Sequence, residues 1–237
     1  MKYKKISIII PVFNEERFIK ITIDKVIKSD TLNLTKEIIV VNDGSTDKTS
    51  SILTKIYLND KSIKIITKKL NEGKGAALKL GLLKSTGDIV IVQDSDLEYD
   101  SIDYPLLIKP FIENNADAVY GSRFISNQPH RVLFFWHYLA NIFLTNLSNT
   151  LTNLNLTDME TGCKVFRGDL IRKIAPGLRS KKFGFEPEIT AKISKISGIK
   201  IYEVGISYQG RTYAEGKKIN WKDGILAIWE IIKFNLF

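Results

Sequence analysis

Cysteine occurs once in the 237 residues, as Cys163, so no internal disulfide framework is available and the chain suits a reducing compartment. Histidine occurs twice, as His130 and His137, which leaves no His/Cys cluster of the kind that holds zinc. Packing roles are expected for all three. No stretch reaches the ~18–20 consecutive apolar residues that span a bilayer. The N-terminal segment Met1–Phe13 has an apolar run of only about seven residues and no small-residue cleavage site, so it reads as a buried first strand and not as a signal peptide. The protein is expected to be cytoplasmic, or peripheral on the cytoplasmic face of a membrane. Six prolines and fifteen glycines leave no linker, low-complexity segment or fixed-period repeat, so residues 1–237 read as one domain. Two nucleotide-binding signatures are also missing. No Gly-x-Gly-x-x-Gly follows the first strand, and Asn71-Glu72-Gly73-Lys74-Gly75 only faintly approaches a phosphate loop. A dinucleotide dehydrogenase and a P-loop NTPase are therefore disfavoured.

Positive charge is in excess: 35 Lys and Arg face 26 Asp and Glu, for a net charge of +9. That favours anionic partners, whether nucleic acid, anionic lipid or phosphorylated substrates. The lysines are scattered without interleaved aromatics, which argues against a single-strand nucleic-acid binder.

The first 120 residues alternate short β-rich runs with helical patterns. Strands are expected at Lys5–Val12, Glu37–Asn42, Ile63–Thr67, Asp88–Gln93 and Ala118–Gly121. Helices are expected near Glu15–Lys28, Asp47–Leu58, Lys74–Ser85 and Tyr104–Asn114, with Ser45-Thr46-Asp47 as a helix start and Gly87 as a helix stop. The strands are near-continuous apolar runs, as in a mostly parallel sheet covered by helices on both faces. The second half adds strands at Val165–Phe166 and Lys200–Ser207, and helices at Val132–Asn153, Glu186–Ser197 and Trp221–Phe237. The fold class is thus α/β, with C-terminal amphipathic helices.

In open α/β sheets, ligands bind beyond the carboxyl ends of the strands. Three polar clusters fall there: Asn14-Glu15-Glu16 after strand one, Asn42-Asp43-Gly44-Ser45 after strand two, and Asp94-Ser95-Asp96-Leu97-Glu98 after strand four. Any one of them is also an ordinary turn sequence. Three at neighbouring ligand-facing ends point to a site. Asp94 and Asp96, and with them Glu98, alternate in extended backbone and can converge on one side. Gathered carboxylates repel and raise one another's pKa unless a hard cation such as Mg²⁺ or Mn²⁺ joins them.

These motifs resemble those of family 2 glycosyltransferases with the GT-A fold. Pro11-Val12-Phe13-Asn14-Glu15-Glu16, Val41-Asn42-Asp43-Gly44-Ser45-Thr46-Asp47 and Asn71-Glu72-Gly73-Lys74-Gly75 carry the resemblance, and Asp94-Ser95-Asp96 is similar to the family's Asp-x-Asp. Tyr120-Gly121-Ser122-Arg123-Phe124 and the basic stretch Gly210–Lys217 resemble the dolichyl-phosphate mannose synthase-like, polyprenyl-phosphate branch. The resemblance implies a nucleotide-sugar-binding half, 1–122, and an acceptor half, 123–237. It implies that Pro11, Phe13, Glu15, Val41 and Asp43 hold base and ribose, and that Asp94, Ser95 and Asp96 contact ribose, diphosphate and metal. Asp96 would be the main metal ligand, with Glu98 where close relatives often carry glutamine. Arg123, Arg211 and Lys217 would meet donor or acceptor phosphates. Asp96, Asp94, Arg211 and Lys217 are the expected catalytic group.

The implied reaction is inverting transfer of a sugar from a nucleotide-diphospho-sugar, of GDP-mannose or UDP-glucose type, to a polyprenyl phosphate. An ionised lipid phosphate is its own nucleophile, so no general base is required, whereas an alcohol acceptor needs one. Asp158, Glu160, Glu186 and Glu188 are the candidates for that role. Val132–Leu151 and Trp221–Phe237 are amphipathic and suit a membrane interface as well as a core, with Arg131 placed to meet a lipid phosphate. Other readings are a GT-A enzyme acting on a glycan or small alcohol, a nucleotidyltransferase, or a non-catalytic nucleotide-sugar-binding module.

Overall fold

The computed structural model describes residues 2–125, 131–132, 134–212, 215 and 221–237. Among these, β1 (Lys5–Val12), β2 (Thr35–Asn42), β3 (Ile63–Thr67), β4 (Ile89–Val92), β5 (Ala118–Ser122), β6 (Lys164–Arg167) and β7 (Ile201–Gly205) form one sheet in the order β3-β2-β1-β4-β6-β5-β7. β1 runs parallel to both β2 and β4, β2 to β3, and β5 to β7. β6 alone is antiparallel, to β4 and to β5. The mostly parallel sheet expected from the sequence is therefore present.

Its two covered faces follow from the side-chain alternation of the central strand. Ile6, Ile8, Ile10 and Val12 of β1 pack in one layer with α1 (Ile19–Lys28), α2 (Thr49–Tyr57) and α4 (Tyr104–Asn114). Ile9 points into the opposite layer, with α3 (Lys74–Lys84), α5 (Phe135–Thr152), α6 (Gly168–Ile174), α7 (Phe185–Ser194) and α8 (Trp221–Leu236). Each fully buried Ile or Leu contributes roughly 1.5–3 kcal/mol, so a strand buried on both faces anchors the domain.

Several local expectations give way. α1 starts at Ile19 because Glu15–Phe18 forms a turn in which the Glu15 carbonyl accepts from the Phe18 and Ile19 amides. α2 starts at Thr49, and Asp47 stands outside it, accepting from the Thr49 amide at 2.9 Å and the Glu16 amide at 3.1 Å. Gly87 is not a helix stop: α3 ends at Lys84, and the Gly87 amide donates to Ser7 Oγ at 2.8 Å beside β1. The short helix α6 was not expected. α5 and α8 pack on each other, but the apolar stripe of α5 is only partly used for that. Trp136, Leu139 and Phe143 are exposed while Thr145 and Ser148 are buried. Among the described residues, no helix is long and apolar enough to cross a membrane.

Candidate active site

β2, β1 and β4 are neighbours in the sheet, so the clusters that follow them share one edge. Two side-chain-bearing residues there have left-handed backbones, Asn14 at φ 52° and Leu97 at φ 64°. Strained residues of this kind persist where the surroundings over-determine them, commonly at functional sites. The Asn14 carboxamide accepts from the Thr46 amide at 2.8 Å, tying the first cluster to the second. The Thr22 hydroxyl donates to the Ser95 carbonyl at 3.0 Å, tying the third to α1.

The second cluster is organised by Asp43. Its buried carboxylate accepts from Lys68 Nζ at 2.5 Å and from the Gly73 amide at 2.7 Å. That draws the 68–73 segment over Gly44, whose φ is 71° and where a Cβ would stand 2.7 Å from the Asn71 amide nitrogen. Only glycine meets both conditions. Val41 is fully buried on the α3 side, so it can present only backbone to a ligand, and Pro11 is buried beside it in register. Phe13 and Glu15 follow at the end of β1, Phe13 partly exposed and Glu15 buried.

The third cluster is held by cations from distant parts of the chain. Lys74, at the first position of α3, lies 2.9 Å from Asp94 and 3.0 Å from Glu186. Burial pulls its pKa down, but Asp94 and Glu186 outweigh this and hold it well above the usual lysine value. Arg211 reaches Asp96 at 2.9 Å, Glu98 at 3.5 Å and Glu15 at 3.7 Å, with its guanidinium 5.8 Å from the Phe18 ring. Glu98 also accepts from the Tyr208 hydroxyl at 2.9 Å and the Arg211 amide at 3.1 Å. Asp94 rests against the backbone of Gly162, where a Cβ would stand 2.2 Å from its Oδ2.

Burial, reinforced by repulsion from Asp94 and Glu98, pushes the Asp96 carboxyl up to about 7 against the pull of Arg211. A hard-oxygen cluster that its own arginine does not hold fully ionised has room for a divalent cation. Among the described residues, no three His, Cys, Asp or Glu side chains converge closely enough to hold a metal unaided. A cation here fits one or two carboxylates with substrate phosphates completing its shell, the usual mode for Mg²⁺.

Of the remaining expected residues, Arg123 donates to Asp158 from Nε at 2.6 Å and Nη2 at 2.7 Å, and to Asn141 at 3.2 Å. Any phosphate must share it with Asp158. Arg131 donates to Glu215 at 2.7 Å and to the Gly210 carbonyl at 3.1 Å. Lys217 and His130 lie outside the described residues. A cleft of about 500 Å³ is lined by Asp96, Arg211, Phe18 and Arg131. A second, of about 400 Å³, is lined by Arg131, Arg123, Tyr208 and the aromatic residues Phe134, Phe135 and Tyr138. Arg131 thus stands between a cleft of mixed charge and an aromatic one. Sequence reasoning had not singled out Lys74, Tyr208 or Phe18. Only Lys74 carried a signal, as a member of the Asn71-Glu72-Gly73-Lys74-Gly75 motif, to which no role had been assigned.

Residues 7–175 match the family model described as glycosyl transferase family 2. The chain belongs to this family. It is 26% identical to a dolichyl-phosphate beta-glucosyltransferase of Trichomonas vaginalis, over 98% of this chain and 73% of that one. It is 28% identical to a dolichyl-phosphate beta-glucosyltransferase of Dictyostelium discoideum, over 91% of this chain and 68% of that one. An uncharacterized protein of Methanocaldococcus jannaschii is 27% identical over 98% and 93%. Among solved structures, glucosyl-3-phosphoglycerate synthase from Mycobacterium tuberculosis, in complex with Mn²⁺, UDP and phosphoglyceric acid, is similar at TM-score 0.73 and 19% identity, over 99% of this chain and 79% of that one. The fold of this family 2 glycosyltransferase is accordingly GT-A.

Proposed function

We propose that this family 2 glycosyltransferase moves glucose from UDP-glucose to a polyprenyl phosphate, with inversion at the anomeric carbon and with Mg²⁺ or Mn²⁺ at the Asp94-Ser95-Asp96 turn. The observation that carries the proposal is Arg131, the shared wall between the Asp96–Arg211 cleft and the aromatic cleft. An anionic donor and an apolar acceptor with a charged head need two such compartments meeting at a cation. The names of the dolichyl-phosphate relatives and the UDP complex of the structural neighbour favour the same donor and acceptor.

Asp96 and Glu98 would hold the metal, which when bound offsets negative charge on the diphosphate leaving group. Arg211 is placed to add a guanidinium to that group, and Lys74 keeps Asp94 neutralised behind it. The acceptor phosphate, already ionised near pH 7, attacks C1 of the sugar through one of its oxygens. The C1–O bond to the diphosphate breaks, and its electron pair leaves with UDP. One displacement inverts the configuration, and no side chain need take a proton. Arg131, with Arg123 behind it, would orient the attacking phosphate.

Peripheral membrane contact fits the same acceptor. Phe135, Trp136 and Phe143 on α5 and Ile225, Leu226 and Trp229 on α8 are all exposed, an apolar surface of the kind that marks interaction sites.

The test supplies UDP-glucose or GDP-mannose, each radiolabelled in the sugar, with polyprenyl phosphate, Mn²⁺ or chelator. Metal-dependent label in the organic extract from UDP-glucose is expected. Label from GDP-mannose alone would change the donor. Label passing only to a glycan, an alcohol or a small phosphorylated acid would overturn the acceptor, and release of pyrophosphate would indicate nucleotidyl transfer.

A further inference from the structure

Four carboxylates of the second half, Asp158, Glu160, Glu186 and Glu188, are candidates for a role in transfer, and three of them are already engaged. Asp158 holds Arg123 through two short hydrogen bonds, of 2.6 and 2.7 Å. Glu186 pairs with Lys74 at 3.0 Å. Glu188 accepts from the Arg179 amide at 2.8 Å and the Ser180 amide at 2.7 Å, and faces Lys192 at 3.6 Å. Glu160 differs. Its Oε1 is shut off from solvent and accepts no hydrogen bond from any described residue, while the residue as a whole is partly open. Burial, with Glu186 adding repulsion, pushes its carboxyl up to about 8. A carboxyl removed from water without a donor costs free energy, and native structures rarely leave such a group unexplained.

Its position supplies the explanation. Glu160 precedes by two residues the Gly162 backbone that presses on Asp94. Its charged neighbours are Glu186, linked through Lys74 to Asp94; Lys164, whose ammonium is hydrogen-bonded to the Met159 and Thr161 carbonyls; Arg123, which lines the aromatic cleft; and Asp158. These neighbours place it near both Asp94, on the side proposed for the donor, and Arg123, on the side proposed for the acceptor, which is where a transferred sugar would sit.

We infer that Glu160 accepts a hydroxyl of the donor hexose and thereby sets which hexose the enzyme takes. This rests on the donor reading above.

Calorimetric titration of the full chain with UDP and with UDP-glucose in Mn²⁺ tests it, with GDP and GDP-mannose in parallel. Glu160→Ala should lower the ratio of UDP-glucose to UDP affinity roughly 10-fold, about one hydrogen bond, and leave UDP itself within about twofold. Glu160→Gln, which keeps the shape and an acceptor oxygen, should retain most of that ratio. The melting temperature of both variants should be unchanged or higher, because an unpartnered carboxyl is removed. Equal loss of UDP and UDP-glucose would make Glu160 a structural residue and overturn the inference. An unchanged ratio in Glu160→Ala would also overturn it, leaving water as the missing partner. Failure of the wild type to bind either nucleotide would instead refute the donor reading on which the inference stands.

Discussion

Lys74→Met removes the cation that joins Asp94 to Glu186. The side chains of Lys74, Asp94 and Glu186 are 19%, 16% and 6% exposed, so the network is largely out of water. Deleting one partner of a buried ion pair leaves charge uncompensated, at a cost of about 3–5 kcal/mol. In a domain of this size each kcal/mol moves the melting temperature by about 2–4 °C, so a fall of roughly 6–20 °C is expected in a thermal scan monitored by circular dichroism. Adding Glu186→Gln removes one of the two stranded carboxylates and should recover part of the fall, with a coupling of about 0.5–3 kcal/mol in the double-mutant cycle. The pH dependence has a definite sign. A lysine whose folded pKa is raised contributes stability that is fully present below its unfolded value of about 10.4 and is lost only as pH rises through the folded value. The gap between wild type and Lys74→Met should therefore be constant from pH 6 to 9. A variant melting within about 2 °C of wild type, or a gap that closes on the way to pH 9, would refute Lys74 as the counter-ion of Asp94.

Asp96→Ala should abolish metal-dependent turnover, and full activity in the radiolabel transfer assay would contradict its assignment as the main ligand. Arg211→Ala should lower turnover about 10²–10³-fold, the scale of a lost transition-state charge partner. Its melting temperature should gain more from Mn²⁺ than the wild type's does, since nothing then competes for Asp96 and Glu98; a collapse that Mn²⁺ does not relieve would make Arg211 structural. Glu160 is an acid whose folded pKa is raised to about 8, so the unfolded chain releases that proton first and stability falls as pH rises from about 4.3 to 8. Glu160→Gln should flatten that part of the melting profile, and parallel profiles would refute it. Trp136→Glu with Trp229→Glu should weaken sedimentation with anionic vesicles while leaving turnover on a short-chain acceptor intact; unchanged sedimentation would rule out the α5–α8 surface as the contact.

The sheet was legible because its central strands are continuous apolar runs, and the ends of β1 and β3 match the sequence expectation to the residue. Their polar termini were legible for the same reason: Asn14, Asn42-Asp43 and Gln93-Asp94 interrupt those runs abruptly. Pairings across the chain were not. Lys74 meets Glu186 across 112 positions, Arg211 meets Asp96 across 115, and no local pattern encodes either. α6 is too short for a periodic signal. Helix α5 was legible as amphipathic, but its spacing left core and interface open: Trp136, Leu139 and Phe143 are exposed, while Leu144, Thr145 and Ser148 pack inside.

The same long-range pairings bear on how the proposed reaction would proceed. The acidic groups of the site share a few cations: Lys74 serves Asp94 and Glu186, Arg211 serves Asp96, Glu98 and Glu15, and Arg123 serves Asp158. A divalent cation arriving with a diphosphate brings positive charge for Asp96 and Glu98 and negative charge for Arg211, so the exchange alters partners with little change in net charge. Asp94 need not exchange, because Lys74 is largely enclosed at the start of α3, and Asp158 would keep two hydrogen bonds to Arg123 while that arginine lines the aromatic cleft. The part of the site that must rearrange is then the segment bearing Arg211, which also supplies Tyr208 to Glu98 and Gly210 to Arg131. Movement of that one segment would part Arg131 from the Gly210 carbonyl, though not of itself from Glu215, as it releases Asp96 from Arg211. Donor binding in the Asp96–Arg211 cleft would thereby loosen one of the two holds on Arg131, the other being its ion pair with Glu215.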